Sequence, residues 1–132
     1  MDVENNEFQK FVILAQANGL DYLLIGGLAL ILNGIVRVTR DADIWLQPTN
    51  QNRDRFINVL LEYGFTEDEV SEMRLADFTD AQIIRISDIP MDVLTRVHQR
   101  LNYDDCRTRA GHFTTKEGQT IHFLHIDDLR EA

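Results

Sequence analysis

A chain of 132 residues, 44% hydrophobic and 27% charged, carries enough apolar material for one core and too little length for two ordinary ones, so it reads as a single domain, 1–132. Its 22 acidic residues outweigh 13 Lys and Arg, leaving a formal net charge of −9. Such a field repels a bare phosphate backbone and argues against dedicated binding of duplex DNA. No apolar run approaches the ~18 residues of a membrane span, MDVENNEFQK lacks the apolar segment of a signal peptide, and the lone Cys106 has no internal partner; a cytoplasmic protein without membrane contact is expected.

From Glu7 to Ala17, Phe8, Phe11, Val12 and Ala15 recur at helical spacing and Asn18-Gly19 supplies a stop, which predicts an amphipathic first helix. Tyr22 to Ile25 is a short apolar strand. Leu28 to Leu32 is apolar all round, the mark of a buried helix, and Asn33-Gly34 ends it. Arg40 to Gln47 reads as a second strand closed by Pro48. A third helix is predicted from Asn50 to Tyr63, with Phe56, Val59, Leu60 and Tyr63 on one face and Gly64 behind it. Thr66 to Asp80 is acidic and poorly periodic, a short helix and a loop. Ala81 to Ser87 and Met91 to Val97 look like strands joined by a turn at Asp88-Ile89-Pro90. Leu101 to Arg109 reads as helix or loop. His112 to Thr115 and Thr120 to His125 form a hairpin around Lys116-Glu117-Gly118-Gln119, and His125 to Leu129 starts a last helix. The alternation of helices and strands predicts an α/β chain, α+β in stricter usage.

The chemistry concentrates between Tyr22 and Leu46. Asp41 and Asp43 sit two apart in a predicted strand, so their side chains are expected on one face. Paired carboxylates in apolar sequence are costly unless a positive charge joins them, and a divalent cation is the natural one. A solvated strand end is the plainer reading of an isolated Asp-x-Asp; the glycines upstream and Arg37-Val38-Thr39 favour the cation. Gly26 and Gly27 close one strand and open a helix, where bare backbone and helix-start amides suit a phosphate. Tight packing of helix on strand would demand small residues there as well.

Gly26-Gly27-Leu28-Ala29, then Gly34, Arg37 and Thr39, then Asp41-Ala42-Asp43, resembles the signature of the nucleotidyltransferase superfamily related to DNA polymerase beta. The resemblance is to its small bacterial Gly-Gly branch, which includes abortive-infection-type toxins and lincosamide-modifying enzymes, and it covers about the first two thirds of the chain. It implies a mixed, twisted sheet with helices packed mainly on one face. It implies transfer of a nucleoside monophosphate from an NTP to an acceptor hydroxyl with release of pyrophosphate. Two magnesium ions, or manganese in their place, would be held by Asp41, Asp43 and a third acid from a later apolar strand. Asp92 in Ile-Pro-Met-Asp-Val-Leu falls where that acid belongs, whereas Asp88 suits a turn better. Gly26 and Gly27 would receive the triphosphate. Many relatives carry Gly-Ser here, so Gly27 removes a side-chain donor and leaves the contact to the backbone. Arg37 would face phosphate or brace an acid, and both roles stay open. For Thr39 a structural hydrogen bond is favoured, and for Arg40 a solvated role.

Other residues carry less. His122 and His125 face opposite sides of an extended strand, so a zinc site is not expected, and Cys106 reads as structural. Trp45 borders the acids but suits core packing better than stacking on a base. Relatives often continue beyond an Asp-Asp-Leu like Asp127-Asp128-Leu129 into a further helix, so either the chain is a truncated form or that helix comes from elsewhere. A partner chain or a second copy is a further expectation, as in toxin–antitoxin pairs. The acceptor is left open among a small molecule, a tRNA end and a protein side chain. A catalytically degenerate module that binds a nucleotide or a partner without turnover is the alternative.

Overall fold

A computed structural model of the protein describes residues 1–98 and 100–130. Within them, α1 (Asn6–Ala17) starts where the Asn5 side chain accepts the Phe8 amide, and it turns Phe8, Phe11, Val12 and Ala15 inward. β1 (Tyr22–Ile25) runs without a loop into α2 (Gly26–Leu32), and β2 (Ala42–Leu46) follows. α3 (Asn50–Tyr63) is capped by the Thr49 hydroxyl and spans the range expected from its periodicity. α4 (Glu67–Leu75) is held at its start by a reciprocal capping box, Thr66 with Glu69. That Thr-x-x-Glu was readable as a helix start in the acidic stretch whose periodicity is poor.

Then come β3 (Ile83–Ile86), β4 (Met91–Leu94), α5 (Tyr103–Arg109), β5 (Gly111–Thr114), β6 (Thr120–Phe123) and the short α6 (Ile126–Leu129). The helix-or-loop stretch before β5 is thus helical, with Asn102 capping it and Arg107 and Arg109 in its last turn, where cations suit the helix dipole.

The strands form one mixed sheet in the order β3-β4-β2-β1-β6-β5. β1 and β2 are antiparallel, while β4 lies parallel to β2 and β6 parallel to β1. The result is the expected α+β architecture with a twisted open sheet. One face carries the main core: Leu24, Ala42, Ile44, Leu46 and Val93 meet Phe8 and Phe11 of α1, Leu28 of α2, Phe56 and Leu60 of α3 and Val70 of α4. The other face holds a smaller cluster in which Leu23, Ile25, Trp45 and Leu124 meet Tyr103 and Cys106 of α5.

Polar groups lock the sheet to its helices. The buried Asn52 of α3 accepts the Asp21 amide at 2.9 Å and donates to the carbonyls of Asp21 and Gln47 at 2.8 and 3.1 Å. It thereby ties the start of β1 to the end of β2. On the second face the Tyr103 hydroxyl donates to the Asp21 carboxylate at 2.6 Å, and burial with that contact pushes the phenol up from its ordinary range. No helix among the described residues is long and apolar enough to cross a membrane.

Candidate functional site

Topology brings three strand ends to one place. β1 is antiparallel to β2, so its last residue, Ile25, pairs with Asp43 near the start of β2. β4 is parallel to β2, so its start lies beside the start of β2 and Asp92 pairs with Asp43. β3, antiparallel to β4 across the turn that joins them, sets Arg85 against Asp92. Residues opposite one another on neighbouring strands share a face. Arg85, Asp92, Asp43 and Ile25 therefore form one row across four strands, on the face of the smaller cluster. The next row on that face runs Ile83, Leu94, Trp45, Leu23. α5 covers its β1–β2 end, while Ile83 at the β3 end is 80% exposed. The acid pair sits where covered sheet gives way to open sheet.

The electrostatics follow from that position. Asp43 is pushed above the ordinary carboxylate range first by burial, then by the charges of Asp92 and Asp41, with Arg85 pulling the other way. Arg85 grips Asp92 at both oxygens: Nε donates to Oδ1 at 3.0 Å and an Nη to Oδ2 at 3.2 Å. Gly26 follows Ile25 directly and lies against Asp43. A β-carbon added at Gly26 would stand 2.2 Å from the Asp43 Oδ2, and its φ of +62° already disfavours a side chain. A β-carbon at the buried Gly27 would stand 2.7 Å from that of Thr39. Both glycines are thus required by the close approach of the acid-bearing segment, the packing role weighed above, and they are also the first residues of α2, with first-turn amides that have no partner inside the helix.

The remaining expected residues are placed less uniformly. β2 begins at Ala42, not Arg40, so Asp41 precedes the strand and strand alternation does not align it with Asp43. The Ala42 amide pairs with the Pro90 carbonyl, and the backbone before it leaves the ladder. Asp41 stays near enough for its charge to act on Asp43. Thr39 donates its hydroxyl to the Asp41 carbonyl at 3.1 Å, which bends the segment toward the strand. Arg37 and Arg40 are exposed, and Arg37 stands between Val36 and Val38, themselves 99% and 91% exposed. Asp88 lies in the turn between β3 and β4. Trp45 is buried, donates Nε1 to the Thr95 carbonyl at 3.1 Å and meets Tyr103 edge to face. Cys106 is buried, and burial pushes its thiol up.

A cavity of about 480 Å³ opens beside the pair, lined by Ile25, Gly26, Leu30, Asp43 and, from the loop after β4 and from α6, Val97, His98 and Leu129. That volume lies in the range of small-molecule sites. The walls are mostly aliphatic, with Asp43 at one side. The Arg100 amide donates to the His98 Nδ1 at 3.2 Å, which holds the ring at the cavity wall.

Two members of this site escaped the sequence reading. The apolar run Ile83-Ile84-Arg85-Ile86 marked Arg85 as a strand residue, but counting outward from Asp88-Ile89-Pro90 pairs Ile86 with Asp92; the turn takes a fourth residue, Ser87, and that shift sets Arg85 on Asp92. His98 has no such signal, because it lies in a loop without periodicity.

Asp43 and Asp92 suit a hard divalent cation: two carboxylates on neighbouring strands, one of them destabilised in its charged form, with a guanidinium already standing in as the positive charge. Among the described residues no group of three or more His, Cys, Asp or Glu side chains closes to the spacing of a metal site. Asp41 precedes β2 and lies outside the in-register row, and the Arg85 guanidinium occupies Asp92. Compared with protein-family models, curated proteins and solved structures, the chain matches none.

Proposed function

We propose that this chain is a magnesium-dependent nucleotidyltransferase, which moves a nucleoside monophosphate from an NTP to an acceptor hydroxyl and releases pyrophosphate. The observation that carries the reading is the in-register pair Asp43–Asp92 on adjacent strands, with Gly26 against the Asp43 carboxylate. Asp43, Asp92 and, after a small movement, Asp41 would hold the metal, with manganese an acceptable substitute. Bound magnesium supplies charge neutralisation at the phosphates and acidifies the acceptor hydroxyl.

The chain's own residues account for the rest. The first-turn amides of Gly26 and Gly27 receive the phosphates beside Asp43. Arg37, exposed on the segment leading to the acids, adds positive charge there, while Thr39 fixes the bend through the Asp41 carbonyl. The acceptor oxygen attacks the α-phosphorus, the bond to the β-phosphate oxygen breaks, and pyrophosphate leaves with that electron pair. Asp92 takes the hydroxyl proton as general base. The aliphatic cavity excludes water on one side and seats an uncharged part of a substrate. With a net charge of −9, a small-molecule or protein acceptor is better matched than a tRNA end. A partner chain or second copy would supply further acceptor contacts.

One observation favours a second reading. The two-point grip of Arg85 on Asp92 is also what a module that binds nucleotide without turnover would show. Incubation with Mg2+, each labelled NTP and a panel of hydroxyl acceptors separates the two. Pyrophosphate release that disappears in Asp43→Ala is the expected result. Nucleotide binding with no release across the whole panel would overturn the enzyme reading and leave the module.

A further inference from the structure

Among the described residues, Arg85–Asp92 is the one ion pair that joins neighbouring strands of the sheet. The two residues are direct cross-strand partners, so the backbone sets their distance and no loop has to order to bring them together. Both oxygens of Asp92 are engaged by one guanidinium, so a cation that takes the carboxylate has to share it with Arg85 or displace it. The Asp92 side chain is only 24% exposed, yet the Arg85 side chain is 77% exposed, and its only hydrogen bonds among the described residues are the two to Asp92. The grip is thus fixed at the acid and loose at the base. An exposed guanidinium loses little on returning to water, and exposed pairs are among the weakest interactions in a protein.

Asp92 already has Asp43 beside it, and the pair cannot carry two full negative charges cheaply at the edge of an apolar cavity. Arg85 offsets one of them. A divalent cation would offset both, with twice the charge and a shorter contact distance.

We propose that Arg85 is a resident counter-cation of the acid pair, which holds Asp92 while the site lacks metal and yields it, swinging onto the open sheet face, when a divalent ion takes the acids. This rests on the reading of Asp43 and Asp92 as metal ligands. It makes metal loading an exchange of cations: the resting site stays neutralised, and only an ion of higher charge density displaces the arginine.

The test uses the full chain and two probes, Mn2+ followed by the electron paramagnetic resonance of the free ion, and Mg2+ followed by the Nε–H resonance of Arg85. Variants are Arg85→Ala, Arg85→Gln and, as the control for location, Asp43→Asn. Both Arg85 substitutions replace an exposed side chain, and thermal melts check that the fold is kept. The expected result is Mn2+ binding that Asp43→Asn abolishes, that Arg85→Ala and Arg85→Gln tighten about three- to tenfold, and that comes with a shift of the Arg85 Nε–H resonance on adding Mg2+. Mn2+ binding that needs Asp43 but is unchanged in both Arg85 variants would overturn the exchange and leave the metal site standing. Absence of any Mn2+ binding that depends on Asp43, in the wild type and in both Arg85 variants, would remove the metal site and the exchange with it.

Discussion

Replacing Asp43 by Asn isolates the cost of keeping an acid pair without a metal. The side chain keeps its shape against Gly26, and only the charge goes. Neighbouring strands lie ~4.8 Å apart, so two carboxylates in register stand about 5 Å from each other. Coulomb's law then gives ~0.8 kcal/mol of repulsion at the dielectric of water and ~3 kcal/mol at an effective dielectric of 20. Asp43 is half-buried and Arg85 cancels part of the charge on Asp92, so the lower half of that range applies, about 1 kcal/mol. In metal-free buffer near neutral pH, Asp43→Asn is expected to be more stable than the wild type by that amount, or ~3–5 °C in Tm for a chain of this size.

The pH dependence has a definite sign. Asp43 titrates above its ordinary 3.8, so the folded state holds that proton more tightly than the unfolded one. Its contribution is greatest below the ordinary carboxylate range and is lost as pH rises through the raised value. The gap between Asp43→Asn and the wild type should therefore be small near pH ~4 and open toward pH ~7. Excess Mg2+ should reverse the order, because binding to the folded state stabilises only the chain that retains the ligand. Urea unfolding with EDTA and with Mg2+, across that pH interval, measures all three. A metal-free Asp43→Asn less stable than the wild type would refute the repulsion argument, and equal stabilisation of both chains by Mg2+ would refute the metal site.

Gly26→Ala is expected to cost about 2–3 kcal/mol, of which ~1–2 comes from the left-handed backbone and the rest from pushing the Asp43 carboxylate aside. In an Asp43→Ala background the carboxylate contact goes while the tight β-carbon contact at 3.1 Å and the backbone part stay, so the cost should fall toward the backbone part, which a double-mutant cycle in urea reads directly. Asn52→Ala should cost about 2–3 kcal/mol, because it strands the Asp21 amide and two carbonyls between β1, β2 and α3, and the urea midpoint reports it. Val97→Trp, on the wall of the aliphatic cavity, should leave stability within about 1 kcal/mol while raising KM for a substrate about tenfold; melts and pyrophosphate-release kinetics separate the two effects.

Much of this molecule is local in origin and could be read from the chain alone. The helical spacing of Phe8, Phe11, Val12 and Ala15, the run from Asn50 to Tyr63 closed by Gly64, and the apolar Tyr22 to Ile25 each depend on neighbours a few residues away, and each element formed where that spacing put it. The residue types of the site were legible for the same reason: two glycines after a strand, two acids at the start of the next, a third acid after a turn. Strand alternation failed at Asp41 because the ladder starts one residue later, and the start of a ladder is decided by the strand it pairs with.

Pairing also decided what the acids meet. Asp92 lies beside Asp43 because β4 runs parallel to β2, and Arg85 lies on Asp92 because of the register of one hairpin. Gly26 abuts Asp43 through the antiparallel return of β2, and the cavity needs Leu129 from the far end of the chain. Composition and periodicity determined most of the segments that are helix or strand, α4 and α5 being the exceptions, and which side chains carry charge. Tertiary structure alone decided which charge stands next to which, since side-chain periodicity reports a residue's face and says nothing of the strand that comes to lie beside it.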